Sequence, residues 1–167
     1  MYINKTKTCR KITAIFLSIF IICTGSIQAN TLTDHQQAVQ EKENHKYHKS
    51  NYYYFKILST QPDDISALYG LAHNFQTLGQ NDRSLSEVEK LLQIDANHEH
   101  GLLLRSLLNI YAQNWNKVLV DAQRVTQINP LNAQAYMYMD TAYSALGNKE
   151  EAKLASESYQ QLKAAIK

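Results

Sequence analysis

The chain has few of the residues that interrupt or cross-link a fold: among 167 residues there are two cysteines, two prolines and five glycines. Cys9 and Cys23 both lie within the N-terminal segment 1–29, so the rest of the chain has no thiol for a disulfide, a nucleophile or a metal ligand. The scarcity of proline and glycine argues against long loops and favours helices. A fold without disulfides must be held by its apolar core, and the remaining roughly 138 residues are enough for one compact domain.

Residues 1–29 have the three-part organisation of a secretory signal peptide. Four basic residues without an acid precede an apolar run from Ile12 to Cys23, and Ala29 offers a small residue for cleavage. The apolar run is shorter than the roughly 20 residues that span a bilayer. We therefore expect an exported, periplasmic protein. An uncleaved inner-membrane anchor and a lipoprotein modified at Cys23 are the alternatives, the second disfavoured because Ile22 is not small.

The charge of the chain changes when this segment is set aside. Of 17 basic and 15 acidic residues, four basic and no acidic ones lie in the segment 1–29, which leaves 13 and 15 and a net charge of −2. The remaining chain therefore has no electrostatic feature that favours nucleic acid or an anionic membrane surface. We expect membrane contact only through the N-terminal segment, if it stays uncleaved.

The sequence repeats itself with a period of about 34 residues, which is within the range of supersecondary repeats. Pro62 and Pro130 are two periods apart, and so are Gly79 and Gly147. Apolar or small residues recur at single periods between these markers. Four such series share one frame: Leu68, Leu102 and Tyr136; Ala67, Gly101 and Ala135; Leu91, Val125 and Tyr159; Ile94, Ile128 and Leu162. Repetition at this length indicates stacked units that share one continuous core.

Each period has the pattern of two helices joined by a tight turn. Gly147 follows an apolar stripe at helical spacing and ends that helix, because glycine reaches the left-handed conformation without a Cβ penalty. In the first full unit Asp63 or Asp64 can cap the first helix, and Asn81 or Asp82 can cap the second. Every unit is therefore predicted to be a helix–turn–helix.

A helix–turn–helix that has this period, a Leu-Gly turn, a small residue after the turn and a closing proline resembles the tetratricopeptide repeat. The resemblance is carried in one unit by Leu68, Leu71, Ala72, Phe75 and Gly79 with Pro62, and in another by Tyr136, Tyr143, Gly147, Ala152 and Tyr159 with Pro130. It implies an all-α helix–turn–helix solenoid, an α–α superhelix. Three clear repeats cover residues 65–98, 99–132 and 133–167, the last with a capping helix, and a degenerate N-terminal repeat covers residues 30–64.

The resemblance also implies a function: a non-enzymatic scaffold or adaptor of the bacterial envelope, active in assembly of a pilus, a secretion system or a similar complex. The first helix of each unit would line a concave groove that binds a peptide or protein partner. The expected groove residues are Tyr69, His73, Gln76, His100, Leu103, Leu107, Tyr111, Met137 and Thr141. The segment LLLRSLLNI is apolar nearly all round, so Leu103, Leu107 and Ile110 face either the groove or the core.

Two departures from the family pattern concern charge. The groove positions carry no Lys, Arg, Asp or Glu, whereas chaperone-binding members clamp a C-terminal carboxylate with basic and amide side chains there. Asp140 stands where the family packs a small residue between two helices, and Arg105 is one position earlier in the middle unit. A buried carboxylate needs a partner or solvent, so these two residues are candidates for one shared polar interface.

No catalytic residue, metal ligand set or cofactor is predicted. The chain has no phosphate-binding glycine loop, nucleophile motif or metalloprotease helix, and no small-molecule substrate is expected. The alternative is a metal-handling or enzymatic periplasmic domain, in which His45, His48, His98 and His100 together with His35 bind a transition metal. The first four histidines fall at or beside predicted turns, where exposed polar residues are usual, so the scaffold is favoured.

Overall fold

The computed structural model describes residues 33–165, which contain eight helices and no strand. The helices are α1 (residues 33–43), α2 (Tyr47–Thr60), α3 (Ile65–Thr77), α4 (Asn81–Ile94), α5 (Glu99–Tyr111), α6 (Trp115–Ile128), α7 (Ala133–Leu146) and α8 (Lys149–Ala165). This architecture confirms the all-α helix–turn–helix solenoid. The predicted signal peptide and its alternatives lie outside the described residues. Within residues 33–165, no helix has both the length and the apolar character needed to cross a membrane.

The turn inside each helix pair has the same backbone geometry in every unit. His45, Gly79, Gln113 and Gly147, which occupy equivalent positions of the repeat, have φ values of 57°, 72°, 56° and 80°. At each turn the next residue donates its N–H to the carbonyl five residues back: Lys46 to Glu41, Gln80 to Phe75, Asn114 to Asn109 and Asn148 to Tyr143, at 2.8–2.9 Å. This bond closes a left-handed helix end. The predicted end at Gly147 is confirmed, and the two units without glycine keep the same turn.

Side chains cap the first helix of three successive units. Asp64, His98 and Asn132, each one repeat period from the next, accept a hydrogen bond from the backbone N–H three residues later, at 2.8–3.0 Å. Asp64 is thus the cap that the sequence left open between two aspartates. Three different residue types perform one task here, because each offers an acceptor at the helix N-terminus.

The predicted caps of the second helix are wrong. Helix α4 begins at Asn81 itself, Gln80 occupies the capping position, and no side chain caps the helix there. The turn before α4 is so tight that the helix starts directly after the residue that closes it. Asn81 and Asp82 therefore lie in the first turn of the helix.

The main core runs through all three clear repeats. The series Ala67, Gly101 and Ala135 is fully or almost fully buried, as are Leu91 and Val125. The series that contains Ile94 and Ile128 differs, since these side chains are 44% and 39% exposed. They are the last residues of α4 and α6, where the chain turns away from the stack. Periodicity alone did not distinguish these helix ends from the core.

The N-terminal unit joins the stack through a buried polar network. Asn74 on α3 donates to Ser50 Oγ and to Asn51 Oδ1 of α2, both at 2.8 Å, and all three side chains are buried. Ala38 on α1 is fully buried against the same part of the core. Tyr54 and Ile57 of α2 pack in the same apolar cluster as Leu71 and Phe75, so polar pairing and apolar packing together attach this unit to the stack.

The two charged departures do not meet. Arg105 forms a bidentate ion pair with Asp121 of α6 at 2.8 and 2.7 Å, so the expected Arg105–Asp140 interface is wrong. Asp140 is half-buried and accepts a hydrogen bond from Ser144 Oγ at 3.3 Å. Its carboxylate reaches solvent, and this removes the cost of burying it unpaired.

The turn at Gln113 predicts a stabilising substitution. Gln113→Gly should raise the free energy of unfolding by about 0.5–1 kcal/mol, because glycine has no Cβ penalty at positive φ. Urea unfolding followed by circular dichroism measures the change. The control is Gln160→Gly on the exposed surface of α8, which should lower stability by about 1 kcal/mol. A loss of stability with Gln113→Gly would contradict this account.

Substitution of two buried serines by alanine should change the free energy of unfolding in opposite directions. Ser106 Oγ has no hydrogen-bond partner within the described part of the chain, whereas Ser84 Oγ donates to the Ala72 carbonyl at 2.7 Å. Ser106→Ala should stabilise the chain by about 1 kcal/mol, and Ser84→Ala should destabilise it by about as much, since an unmade buried hydrogen bond is the costly case. The same urea titration compares both variants. Equal signs would refute the assignment of the two hydroxyl groups.

Candidate functional site

The inner face of the stack is formed by the first helices of the three clear repeats. Helix α3 contacts α5, and α5 contacts α7, whereas no comparable contact joins α4 to α6 in the described part of the chain. Because the first helices approach each other more closely than the second helices do, they lie on the concave side. The candidate groove therefore runs across α3, α5 and α7.

One end of this groove holds a cluster of one tyrosine and three histidines, which we call the Tyr69 cluster. Tyr69 and His73 lie one turn apart on α3, with ring centroids 6.2 Å apart. Across the helix boundary the Tyr69 ring lies 5.6 Å from that of His98 and 5.9 Å from that of His100. The sequence placed Tyr69, His73 and His100 in the groove, and the structure brings all three together.

His98 was not among the expected groove residues, and it links the Tyr69 cluster to the fold. Its Nδ1 accepts the N–H of Gly101 at 3.0 Å and caps α5, which requires a neutral ring at that nitrogen. Burial lowers the pKa of His98, the neighbouring His100 lowers it further, and Asp95 opposes the shift. The positive end of the α5 dipole also disfavours a charged ring here.

Three tyrosines, one from each inner helix, continue the groove. Tyr138 of α7 is 5% exposed and accepts a hydrogen bond from Gln134 Nε2 at 2.5 Å. Burial raises the pKa of both Tyr69 and Tyr138, and each shift has a smaller contribution from a neighbouring phenol, Tyr138 for Tyr69 and Tyr111 for Tyr138. Tyr138 was not among the expected groove residues, because Tyr136 and Met139 defined the apolar stripe of α7, and it belongs to the main core. Its four-residue spacing from buried Ala142 was the available signal.

The leucines of α5 divide between the groove and the core. Leu103 is 6% exposed and belongs to the main core, so we assign it to the core rather than to the binding surface. Leu107 and Ile110 are partly buried and pack against the same core from its edge. The long apolar run of α5 therefore serves mainly to hold the stack.

Four of the expected groove residues present accessible surface. His100 and Thr141 are exposed, Tyr111 is 55% exposed and Met137 is 37% exposed, while Gln76 is half-buried. None of the nine expected residues carries a formal charge when the histidines are neutral. Lys42 of α1 is a cation close enough to act on this surface: it contributes to the lowered pKa of His73, after burial of that ring.

Two histidines outside the groove are engaged in structural contacts. His35 Nε2 lies 3.0 Å from Asp64 Oδ2, and His45 Nδ1 lies 3.1 Å from the Tyr47 hydroxyl. Among residues 33–165, no group of three or more His, Cys, Asp or Glu side chains has the geometry of a metal site.

Comparison with known proteins relates the fold to solved structures. No protein-family model matches the sequence, and no curated protein matches it significantly. MamA from Desulfovibrio magneticus superposes with a TM-score of 0.75 at 16% identity, over 80% of this chain and 75% of that one. A thermophilic TPR protein from Thermus thermophilus gives 0.65 at 20%, over 79% and 74%. The first TPR of Spaghetti (RPAP3), bound to the HSP90 peptide SRMEEVD, gives 0.68 at 16%, over 71% and 94%. These similarities establish the fold.

The cap at His98 predicts a pH-dependent stability. Its folded pKa is depressed, so its stabilising contribution is present above the unfolded pKa of about 6.5 and is lost as pH falls through the folded pKa. We expect the urea midpoint to fall between pH 7.5 and 5.5. His98→Asn should reduce this fall, because asparagine caps the equivalent helix at Asn132.

The control for this prediction is His48→Asn, at an exposed position of α2, which should leave the pH dependence unchanged. His73, whose pKa is also lowered by burial, accounts for the part of the fall that survives in His98→Asn. An unchanged profile in His98→Asn would show that the cap does not titrate in this range.

Proposed function

We propose that this chain, which has the tetratricopeptide-repeat fold, is a non-enzymatic scaffold that binds a protein or peptide partner along α3, α5 and α7. The observation that carries the proposal is the Tyr69 cluster at one end of the inner face, together with the exposed side chains of Tyr111 and Met137 on the same face. Aromatic side chains that combine a large apolar area with a polar tip are typical anchors at protein interfaces.

The chemistry of the groove favours a partner segment with apolar or aromatic anchors. The expected groove residues are uncharged above the pKa of their histidines, and burial keeps His73 neutral to lower pH. Phenol, imidazole and amide groups can form hydrogen bonds while Met137 and Tyr111 provide exposed apolar contact. The RPAP3 domain is bound to a peptide with an acidic end. The groove here has no matching set of basic side chains, so a different class of peptide is proposed.

The proposed place of action is the bacterial envelope. Support comes from residues 1–29, which have the order of charged, apolar and small residues found in secretory signals. A periplasmic scaffold in assembly of a pilus, a secretion system or another envelope complex combines this export signal with the partner-binding fold. If the N-terminal segment stays uncleaved, the same groove would act as part of a membrane-anchored assembly factor.

The test is partner capture by cross-linking in the host cell. A C-terminally tagged full chain is cross-linked, purified and analysed by mass spectrometry. The double variant Tyr111→Ser with Met137→Ser changes only side chains that are already partly exposed, so folding should be retained. We expect at least a tenfold loss of the specific cross-linked partner, because both changes remove apolar anchors from the groove.

The matched control is Tyr52→Ser with Leu154→Ser, which removes exposed apolar side chains from α2 and α8 outside the groove. This control should keep the partner. If the groove variant captures the partner as well as the control does, binding does not use the inner face. N-terminal sequencing of the same purified chain tests export, with a first residue of Asn30 expected after cleavage.

A further inference from the structure

A long furrow opens on the outer face, between α4 and α6. Three cavities of about 310, 280 and 310 Å³ lie in it, and Arg105 of α5 lines all three. The cavities share neighbouring residues, so they form one elongated trough rather than separate pockets. We call this trough the outer furrow; its central residues are Glu89, Arg105, Asn109, Lys117, Val120 and Asp121.

The polar floor of the outer furrow is a departure from the repeat. At the two positions of α5 that form its floor, the neighbouring repeats have large apolar or aromatic side chains. Arg105 corresponds to Leu71 and Met139, and Asn109 corresponds to Phe75 and Tyr143. Phe75 is 2% exposed and fills the space beneath its own unit. A cavity of about 500 Å³ also opens between α2 and α4, at positions one repeat period earlier, so the gap between second helices belongs to the stack itself. The middle repeat differs in that polar side chains replace apolar ones on the floor of this gap. Stacking alone does not require the change.

Arg105 is held in a fixed orientation at the centre of the furrow. Its Nε and one Nη donate to the two carboxylate oxygens of Asp121, at 2.8 and 2.7 Å. The Asp121 carboxylate is 4% exposed, whereas the Arg105 side chain is 29% exposed. Since a guanidinium has five N–H donors, three remain for another group. A guanidinium with a preset orientation is suited to recognise a further carboxylate.

The charges around the furrow favour an acidic occupant. Its lining contains three basic side chains and two acidic ones, a net charge of +1: Arg105, Lys117 and Arg124 against Glu89 and Asp121. Asp121 neutralises Arg105 in their ion pair and Glu89 lies near the same guanidinium, so Lys117 and Arg124 supply the excess positive charge. Residues 30–167 as a whole carry −2, so the furrow is locally opposite in sign to the chain.

The walls add apolar contact along the same line. Val120 of α6 is 66% exposed, and Leu85 of α4 lies across the trough from it. Helix α6 lines the furrow from Asn116 to Gln127, a length of roughly 16 Å at about 1.5 Å per residue. This length accommodates about five residues of extended chain.

We propose that the outer furrow is a second docking site, distinct from the inner groove, which binds an extended acidic segment of a protein partner. A carboxylate of the segment pairs with the free edge of Arg105 and with Lys117. Apolar side chains next to that acid pack on Val120 and Leu85. A free amino acid would use only one of the three cavities, so a peptide is the occupant that fits the whole trough.

Nuclear magnetic resonance tests the site directly. The sample is the isotope-labelled protein as purified from the cell, with or without the N-terminal segment according to whether it is cleaved there. Two pentapeptides with acetylated and amidated ends serve as probes, of sequence LEVEL and its neutral analogue LQVQL. The acidic peptide should shift the Arg105 Nε–H and Val120 methyl signals, with a Kd at least tenfold lower than that of the neutral peptide. Signals of Tyr69 and Tyr138 should stay in place, which separates this site from the groove.

Variants decide whether the recognition uses the named residues. Arg105→Leu with Asp121→Leu restores an apolar floor like that of Leu71 and should weaken the acidic peptide at least tenfold. Lys117→Gln with Val120→Ser changes exposed positions, so it tests the site even if the first pair impairs folding. Lys153→Gln on α8 is the matched charge control and should have no effect.

Three results would overturn the proposal. Equal affinity for the acidic and neutral peptides would show that the furrow does not recognise the charge of the peptide. Binding of N-acetylglutamate amide as tight as that of the peptide would make the furrow a small-molecule site. Unchanged affinity in Lys117→Gln with Val120→Ser would place the peptide elsewhere. The two sites can be tested separately. Tyr111→Ser with Met137→Ser should abolish partner capture and leave binding of the acidic peptide intact, whereas Lys117→Gln with Val120→Ser should weaken the acidic peptide and leave partner capture intact.

Discussion

The stack depends on one backbone joint, a left-handed residue followed by an N–H that bonds back across the end of the helix. His45, Gly79, Gln113 and Gly147 adopt it once in every unit, and the closing bond is 2.8–2.9 Å each time. A single helix pair cannot bury its apolar face alone, so it must present that face to the next pair at a constant angle. The joint fixes the geometry inside each pair, and the packing of α4 on α5 and of α6 on α7 connects successive pairs.

Because the joint and the core are repeated, the residues that differ between units carry the specificity. On the inner face the Tyr69 cluster and the exposed side chains of Tyr111 and Met137 come from three different units. On the outer face Arg105 and Asn109 give the outer furrow a polar floor, where the units before and after have apolar or aromatic side chains. Each surface is therefore formed by residues of more than one unit, and the consensus sequence of a single repeat does not describe it.

The sequence alone was sufficient for the repeat, the helix pairs and the end at Gly147, because these depend on residue type and on spacing. It was insufficient where geometry overrides residue type. Gln113 adopts a glycine-like conformation because the closed joint enforces it. The burial of Tyr138 was not predicted, because the first helix of a repeat packs against neighbours on two sides. A single apolar stripe in the sequence indicates only one of these two buried sides. The pairing of Arg105 with Asp121 spans two helices, so no local pattern could reveal it.

Helix α5 joins the two proposed sites. It contributes Tyr111 to the inner groove, and Arg105, on another side of the helix, lines the outer furrow. Successive residues of a helix are about 100° apart, so a single arginine within an apolar run gives one helix two chemically different faces. The two faces do not overlap, so occupation of one proposed site leaves the other accessible.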